Sequence, residues 1–367
     1  MSQETVVVAM SGGVDSSLAA SLLQEAGYRV IGLTMRLWSE ADEDEDLVPA
    51  EGGCCALSAA DDARRVAEAL GIPHYVVNMK GTFYREVVEG FIAAYARGET
   101  PNPCILCNRR LKFGALWERA RALGADYLAT GHYARSDRDS RTGRYLLKKG
   151  IDPDKDQAYA LYNLSQDQLS RALFPLGGMT KGETRRLALQ RGLVTARKPE
   201  SQEVCFIPDN DYRRFLKKRI PEEIRPGPIV DSAGRILGEH RGLPYYTVGQ
   251  RKGLGLAAGK PLYVIRLDPQ ENTLVVGRSE EVPQRRLIAG DLNFIAIDQL
   301  KGSLRVTGKI RYRSREAAAV IEPFGEDQLL CRFDEPQWGI TPGQSAVFYD
   351  GEVVVGGGII RRPLGDR

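Results

Sequence analysis

Val6-Val7-Val8-Ala9-Met10-Ser11-Gly12-Gly13-Val14-Asp15-Ser16-Ser17-Leu18 is the stretch on which the reading of the fold turns. A run of β-branched residues, then Ser-Gly-Gly, then an apolar-periodic segment reads as a buried strand, a tight glycine turn and the start of a helix. Gly12 and Gly13 let the backbone turn sharply and approach a ligand closely. Backbone N–H groups at such a turn, with the helix dipole behind them, favour an anion, typically a phosphate. Ser11, Ser16 and Ser17 add hydroxyl donors, and Asp15 is placed to hold a metal ion or to orient a phosphate. Two glycines alone leave a purely structural turn open; the whole string is far more specific. No lysine follows the glycines directly, so this is not the GxxxxGK[ST] loop of enzymes that cleave the γ-phosphate.

Outward from the turn, Leu18–Gly27 reads as a helix ended by a glycine, Tyr28–Met35 as a second strand and Ala59–Leu70 as a helix. His74–Asn78 reads as a third strand, Phe83–Arg97 as a long helix and Tyr127–Thr130 as a further strand ending in Gly131-His132-Tyr133. Strands alternating with helices imply a doubly wound parallel α/β sheet whose ligand site lies at the carboxyl ends of the strands, where Ser11 and Gly131 both fall. The acidic segment Ser39–Gly53 has the composition of a surface insertion. From about Pro208 the texture changes to short strands punctuated by Gly and Pro: Gly227–Val230, Leu262–Leu267 and Thr273–Val276. Beyond residue 284, Leu304–Tyr312, Ala317–Ile321, Gln328–Arg332 and Glu352–Ile360 alternate at period two, which predicts a small barrel or sandwich. The 367 residues therefore divide into an α/β domain over 1–207, a small central domain over 208–283 and a C-terminal β-barrel over 284–367.

Hydrophobic residues make up 43% and charged residues 27% of the chain, the balance of a soluble globular protein. No apolar run is long enough for a membrane span, and the N-terminus lacks a basic-then-apolar signal, so no membrane role and a cytoplasmic location are expected. The net charge of +3 conceals segregation: residues 36–51 carry seven acids against one arginine, and residues 181–219 carry eleven Lys and Arg against five acids. The basic run fits a face offered to a polyanion, or else ordinary solvated helix surface.

Six cysteines stand at 54, 55, 104, 107, 205 and 331. In a chain of this size with a cytosolic location expected, they are not expected to form a structural disulfide framework, and catalytic, redox or metal roles are the better reading for some of them. In Thr100-Pro101-Asn102-Pro103-Cys104-Ile105-Leu106-Cys107-Asn108-Arg109-Arg110-Leu111-Lys112-Phe113, two prolines make a rigid entry and the basic–apolar pattern predicts a helix starting near Cys107. A thiol at a helix N-terminus beside two arginines has a depressed pKa and is nucleophilic. Cys205 lies between both signs of charge in Ala196–Ile207 rather than in an apolar core run. Cys331 sits in an alternating strand and reads as core. Cys54 and Cys55 suggest no function. His132 either meets a nucleotide or packs at the strand end, and Tyr245, Tyr246 and Trp338 either fill the β-domain cores or stack on RNA.

Ser11–Ser16 resembles the PP-loop of ATP pyrophosphatases, which cleave ATP between its α and β phosphates and adenylate a substrate oxygen. The further blocks Thr130–Tyr133, Lys155-Asp156-Gln157, Pro-Asn-Pro-x-x-x-Cys-Asn, Ser201–Ile207, Gly249–Gly253 and Lys309–Arg313, in that family's order and over essentially the full length, resemble the tRNA-specific 2-thiouridylases. The resemblance implies an adenine nucleotide alpha hydrolase-like N-terminal fold and an ATP-dependent 2-thiolation of the wobble uridine of tRNA. It implies an ATP site at Ala9, Met10, Ser11, Gly12, Gly13, Val14, Asp15, Ser16, Met35 and Gly131, with Mg²⁺ as companion ion. Cys107 matches the family's nucleophile and Cys205 its persulfide carrier, the two ending as a disulfide. Lys155, Asp156, Gln157, Arg311 and Tyr312 match tRNA-contacting positions, and Asn102, Pro103 and Cys104 those around the target base. The partners implied are tRNA and a sulfur donor protein or inorganic sulfide, and the chain is expected to be a monomer. In one respect this chain departs from the family: many members carry Asp where Cys104 stands, so no carboxylate acts as acid or base there. Cys104, Cys107 and Cys205 could instead ligate a [4Fe–4S] cluster, an alternative to persulfide transfer that uses the same residues. Rival readings are another adenylating PP-loop ligase, such as an amidotransferase synthetase or argininosuccinate synthase, which needs no paired thiols, and a nucleotide-binding sensor without turnover.

Overall fold

A computed structural model of the chain describes residues 3–43, 57–199, 204–256 and 259–365. They form two compact units, the first Met1–Val88, Pro103–Asp211 and Glu352–Val354, the second Glu89–Asn102, Tyr212–Gly351 and Val355–Arg367.

The valine run builds the centre of the first unit. β1 (Thr5–Ala9) lies between β2 (Arg29–Arg36) and β4 (Tyr127–Ala129), with β3 (His74–Asn78) at one edge and β7 (Ala172–Leu173) at the other; all pairings are parallel. Val6, Val7 and Val8 are fully buried, as a strand covered on both faces requires. The helix α1 (Val14–Glu25) packs Leu18, Ala19, Ala20 and Leu23 against Val6 and Val8, and Ala63 and Val66 of α2 (Leu57–Leu70) join the same core. α1 starts four residues before its apolar pattern does, because Gly13 serves as N-cap and Asp15 suits the positive first turn. Between β4 and β7 the chain makes an antiparallel hairpin, β5 (Ala134–Arg138) with β6 (Tyr145–Lys149), that the sequence reading did not pick out. Its turn closes on the Asp139 carboxylate, which accepts from Arg141 N at 3.0 Å and Thr142 Oγ1 at 2.8 Å.

Three expectations change. The helix expected over Phe83–Arg97 begins earlier, as Lys80–Phe83, and passes through a wide-turn stretch, Tyr84–Val88, before Glu89–Ala96. The acidic segment does not begin as surface: Glu40–Asp42 is a short helical turn, Ser39 and Glu40 are buried, and Asp42 pairs with Lys80. The rest of that segment, with Cys54 and Cys55, lies outside the described residues. The basic run is not one open face, since Lys181, Arg185, Arg191 and Lys198 all bond within the first unit.

In the second unit a four-stranded sheet has the order β10 (Tyr263–Asp268), β11 (Thr273–Gly277), β8 (Gly227–Val230), β9 (Ile236–His240). Ile229, Leu243, Tyr246, Val264, Leu274 and Val276 fill its core, which settles Tyr246 as a packing residue. The six strands β12 (Pro283–Phe294), β13 (Leu304–Lys309), β14 (Ala317–Phe324), β15 (Gln328–Trp338), β16 (Ser345–Asp350) and β17 (Val353–Leu364) run in the order β12-β15-β14-β13-β16-β17 and close through β12–β17. The barrel expected beyond residue 284 is therefore present. Its period-two pattern puts Leu287, Ala289, Ile321, Cys331, Phe333 and Phe348 inside. Cys331 is fully buried, and burial raises its thiol pKa, as befits a core cysteine.

Candidate active site

The glycine turn is shaped by two close approaches. Gly12 has φ +69°, and a Cβ there would stand 2.2 Å from the Ala59 carbonyl oxygen, so only glycine fits. Gly131, just past β4, would set a Cβ 2.7 Å from Ser16 N and 2.9 Å from Asp15 Cβ. The turn after β4 thus rests directly on the first turn of α1. Ser16 Oγ accepts from Ser11 N at 3.1 Å and donates to Gly13 O at 3.2 Å, while Ser17 Oγ donates to the same carbonyl at 2.9 Å. Gly13 has no side chain to cap α1. The helix start is therefore uncapped by its own N-cap residue, the arrangement that receives a phosphate. Ala9 ends β1 opposite Leu33; Met10 is buried, and its carbonyl accepts from Thr34 Oγ1 at 2.8 Å. Val14 is buried at the helix start, and Met35 lies half-buried on β2 opposite Val77.

The positive charge that the turn lacks in its own sequence arrives from far along the chain. Lys181 Nζ lies 2.7 and 2.8 Å from the two Asp15 carboxylate oxygens, with its side chain only 11% exposed. Tyr133 donates its hydroxyl to Asp15 Oδ1 at 2.8 Å and stands 3.0 Å from Thr184 Oγ1. Lys198 Nζ reaches Gly12 O at 3.1 Å and Asp62 Oδ2 at 2.6 Å. Sequence reasoning missed Lys181 and Lys198 at this candidate site, and Tyr133 stood in the block Thr130–Tyr133 without a role of its own. The one local signal was the capping box of Thr180 and Glu183, which fixes where the helix Lys181–Gln190 starts and so where Lys181 stands.

Lys155-Asp156-Gln157, expected to touch RNA, reinforces this cluster. Tyr133 N donates to Gln157 Oε1 at 3.0 Å and Gln157 N to Tyr133 O at 2.9 Å, while Asp156 Oδ1 accepts from Gly150 N and Ala158 N. Lys155 is half-buried. His132 packs edge-on to Phe174 and is bonded to Thr130 Oγ1 at 2.7 Å. Burial, with the Lys112 charge second, holds its pKa well below the usual imidazole value, so the ring is neutral.

The thiols occupy two anchored stretches of the first unit. The helix expected near Cys107 starts instead at Pro103, a residue favoured at the first helical position. Pro103–Leu106 is one α-turn, and a wide-turn π-helix runs over Cys107–Leu116. Cys107 is therefore not at a helix N-terminus, and the dipole argument for its nucleophilicity falls away. Cys104, in the first turn, has an exposed face. Protein around its thiol removes enough water to raise its pKa; the neighbouring Cys205 pushes the same way and Lys112 opposes. Cys104 and Cys205 are thus within electrostatic reach of one another. Cys205 is held on a turn in which Ile207 N donates to Val204 O, Phe206 is buried against Phe83, and Glu40 N donates to Phe206 O at 3.1 Å. Glu40 follows β2 by four residues, so this turn is tied to the carboxyl edge of the sheet, the edge that carries Ser11 and Gly131.

Asn102, Arg311 and Tyr312 belong to the second unit, Pro103 and Cys104 to the first. Arg311 Nη2 donates to Trp338 O at 2.8 Å, and Lys309 Nζ lies 5.9 Å from the Tyr312 ring; Tyr312 and Trp338 are each 37% exposed. Among the described residues no group of three or more His, Cys, Asp or Glu stands close enough to hold a metal ion. Cys104, Cys107 and Cys205 accordingly do not assemble a cluster-ligand set here. No helix among the described residues is long and apolar enough to cross a membrane.

Three family models match in succession: a tRNA methyl transferase HUP domain over residues 4–209, a tRNA methyl transferase PRC-barrel domain over 213–278 and an aminomethyltransferase beta-barrel domain over 284–360. Curated relatives carry a more specific name. The tRNA-specific 2-thiouridylase MnmA of Moorella thermoacetica is 58% identical over 96% of this chain and 98% of its own length. The proteins of the same name from Heliobacterium modesticaldum and Acetivibrio thermocellus are 58% and 54% identical over 99% and 98% of this chain, and 94% and 100% of their own lengths. With three family models matching in succession and relatives more than half identical over nearly their full lengths, the chain belongs to the tRNA-specific 2-thiouridylase family.

Proposed function

We propose that the chain replaces the 2-oxygen of the wobble uridine of tRNA by sulfur, using ATP to activate the carbonyl and a persulfide on Cys205 to deliver the sulfur. The observation that carries this reading is the attachment of the Cys205 turn, through Glu40 N and Phe206 O, to the sheet edge bearing the glycine turn. ATP supplies an adenylyl group to the uracil O2, with pyrophosphate leaving, and so turns a poor leaving group into AMP. The terminal sulfur on Cys205 forms the C2–S bond as the C2–O bond breaks and AMP departs. The Cys107 thiolate then attacks the Cys205 sulfur, releasing the 2-thio base and leaving a Cys107–Cys205 disulfide for an external dithiol to reduce.

The chain's own groups suit each demand. Backbone N–H groups of the turn and the Lys181 and Lys198 ammonium groups offset charge developing on the phosphates. Mg²⁺, carried by the nucleotide, would meet an Asp15 carboxylate already neutralised by Lys181, so Asp15 serves in orienting that lysine. An iron–sulfur route would need a gathered thiol set, and among the described residues no group of three or more His, Cys, Asp or Glu stands close enough to hold a metal ion. The target base must leave the anticodon stack to reach a thiol. The segments 1–207, 208–283 and 284–367 divide the labour as activation, linkage and tRNA contact, the last through Arg311 and Tyr312. Asn102 and Pro103 border the base. The protein acts as a cytoplasmic monomer whose Cys205 persulfide is loaded by a sulfur donor protein carrying sulfane sulfur; inorganic sulfide, already fully reduced, could not load it without an oxidant.

The test is thiolation of a tRNA transcript with ATP, Mg²⁺ and a persulfide-generating cysteine desulfurase, followed by nucleoside analysis. Wild type should form 2-thiouridine together with AMP in a tRNA-dependent manner. Cys107→Ser and Cys205→Ser should each abolish the product, whereas Cys104→Ala should retain it. AMP formation indifferent to tRNA would point to another adenylating ligase, and loss of activity in Cys104→Ala with iron retained by wild type would restore the cluster.

A further inference from the structure

The segment that begins at Cys107 is a π-helix of ten residues, Cys107–Leu116. Such helices close i→i+5 hydrogen bonds, are rare, and survive mostly as single turns at functional sites. A stretch this long needs support from outside itself, and three features supply it. Gly114 admits the wide turn, since a Cβ there would lie 3.1 Å from Arg109 O. Asn108, buried, donates Nδ2 to Ala160 O at 2.9 Å and accepts from Lys112 Nζ at 2.9 Å. Gln168 donates Nε2 to two carbonyls of the π-helix, Arg109 O and Phe113 O, each at 2.9 Å.

Gln168 is itself immobilised. It is the third residue of the helix Gln166–Ser170, and its Oε1 accepts from Ser165 N at 3.0 Å in a capping box. Three of the four hydrogen-bonding capacities of one amide are thus used, two on the π-helix and one on the element that carries the residue. The amide cannot rotate without exchanging a donor for an acceptor against both carbonyls.

We propose that Gln168 is a positioning residue for Cys107: its amide holds the Cys107–Leu116 segment in the wide-turn register and thereby aims the thiol. Without the clamp the segment can tighten toward the α register, and one residue of slip turns a side chain by about 100° around the helix axis. A displacement of about 1 Å at a reacting group costs on the order of 10²-fold in rate. This inference rests on the reading of Cys107 as the nucleophile.

Gln168→Glu keeps the size and the acceptor facing Ser165 N but sets an oxygen against Arg109 O and Phe113 O; Gln168→Leu removes the amide. The readouts are kcat and KM for thiolation, and the pH profile of iodoacetamide labelling at Cys107 and Cys205, resolved by peptide mass spectrometry. The expected result is a fall in kcat of about 10²-fold in Gln168→Glu, KM for ATP unchanged, and a displaced labelling profile at Cys107 but not at Cys205. Gln168→Leu should fall between the two, and any variant that does not fold is replaced by the other. A wild-type Cys107 profile in a folded variant, or equal shifts at Cys107 and Cys205, overturns the proposal. If Cys107→Ser still thiolates tRNA, the nucleophile reading fails instead, while the labelling profile still reports on the clamp.

Discussion

The glycine turn and the thiol-bearing stretches share one folded unit, yet the protein holds them in opposite ways. Around the turn the partners grip the reacting neighbourhood itself: Lys181 and Tyr133 bind the Asp15 carboxylate, and Lys198 binds the Gly12 carbonyl. Around the thiols the grips fall on the backbone beside them, Gln168 on Arg109 O and Phe113 O and Glu40 N on Phe206 O. Cys104 is exposed, and Cys107 and Cys205 are half-buried. A phosphate is best met by donors already oriented, whereas under the proposed route a thiol that takes up sulfur and meets a base has to remain reachable.

If the turn depends on preset charge, the largest effect should come from Lys181. Lys181→Met leaves the Asp15 carboxylate with the Tyr133 hydroxyl but no counter-charge, and should lower kcat/KM for ATP by about 10²–10³-fold. Asp15→Asn should cost a similar factor, and the double variant little more than the worse single one, since the pair acts as a unit. Additive losses in that cycle would show that the two residues serve the nucleotide separately and would remove the pair from the comparison.

A smaller effect is expected where the contact is steric. Gly131→Ala forces a methyl against the backbone of Ser16 and Asp15, an overpacking that costs about 1–3 kcal/mol. Gly182→Ala is the control: it stands in the helix Lys181–Gln190, with its nearest neighbour at 4.0 Å, and alanine there should stabilise by about 0.5–1 kcal/mol. Chemical denaturation with and without ATP separates the two, because only Gly131→Ala should also lose nucleotide-dependent stabilisation.

How legible the molecule was follows the range of the interactions. β1 could be read as a continuous apolar run, and β13, β14, β15 and β17 as period-two alternation. The polar hairpin β5–β6, with charged residues at Arg135, Asp137, Arg138, Lys148 and Lys149, carries no such pattern and was not read. The glycine turn could be read because Ser11–Ser16 encodes its geometry locally. Lys181 and Lys198 could not, since 166 residues separate Lys181 from Asp15 and nothing in a basic run distinguishes a lysine that turns inward. The start of the Cys107 helix was misplaced for a nearer reason. The two prolines read as a rigid entry ahead of the helix, although proline at a first helical position is favoured and Pro103 is that position. The π-helix has no simple sequence period and was invisible.

His132 joins the two regions, following Gly131 on the turn side and feeling the charge of Lys112 from the π-helix, and it carries the mildest expected effect. Burial, first, and Lys112, second, depress its folded pKa well below 6.5, so the unfolded chain takes up a proton that the folded chain refuses. As pH falls below about 6.5, stability is therefore lost, by up to about 1.4 kcal/mol per pH unit for each such group. Above that value histidine contributes no slope. His74 and His240 are depressed as well, mainly by burial, so all three histidines of the chain act in the same direction. His132→Asn should flatten, without abolishing, the fall in unfolding free energy between pH 6.5 and 5. Lys112→Met in the wild-type background should flatten it slightly too, by letting the folded imidazole protonate more easily. A slope unchanged in both variants would mean that His132 does not feel the thiol side at all, and the turn and the π-helix would then be electrostatically independent.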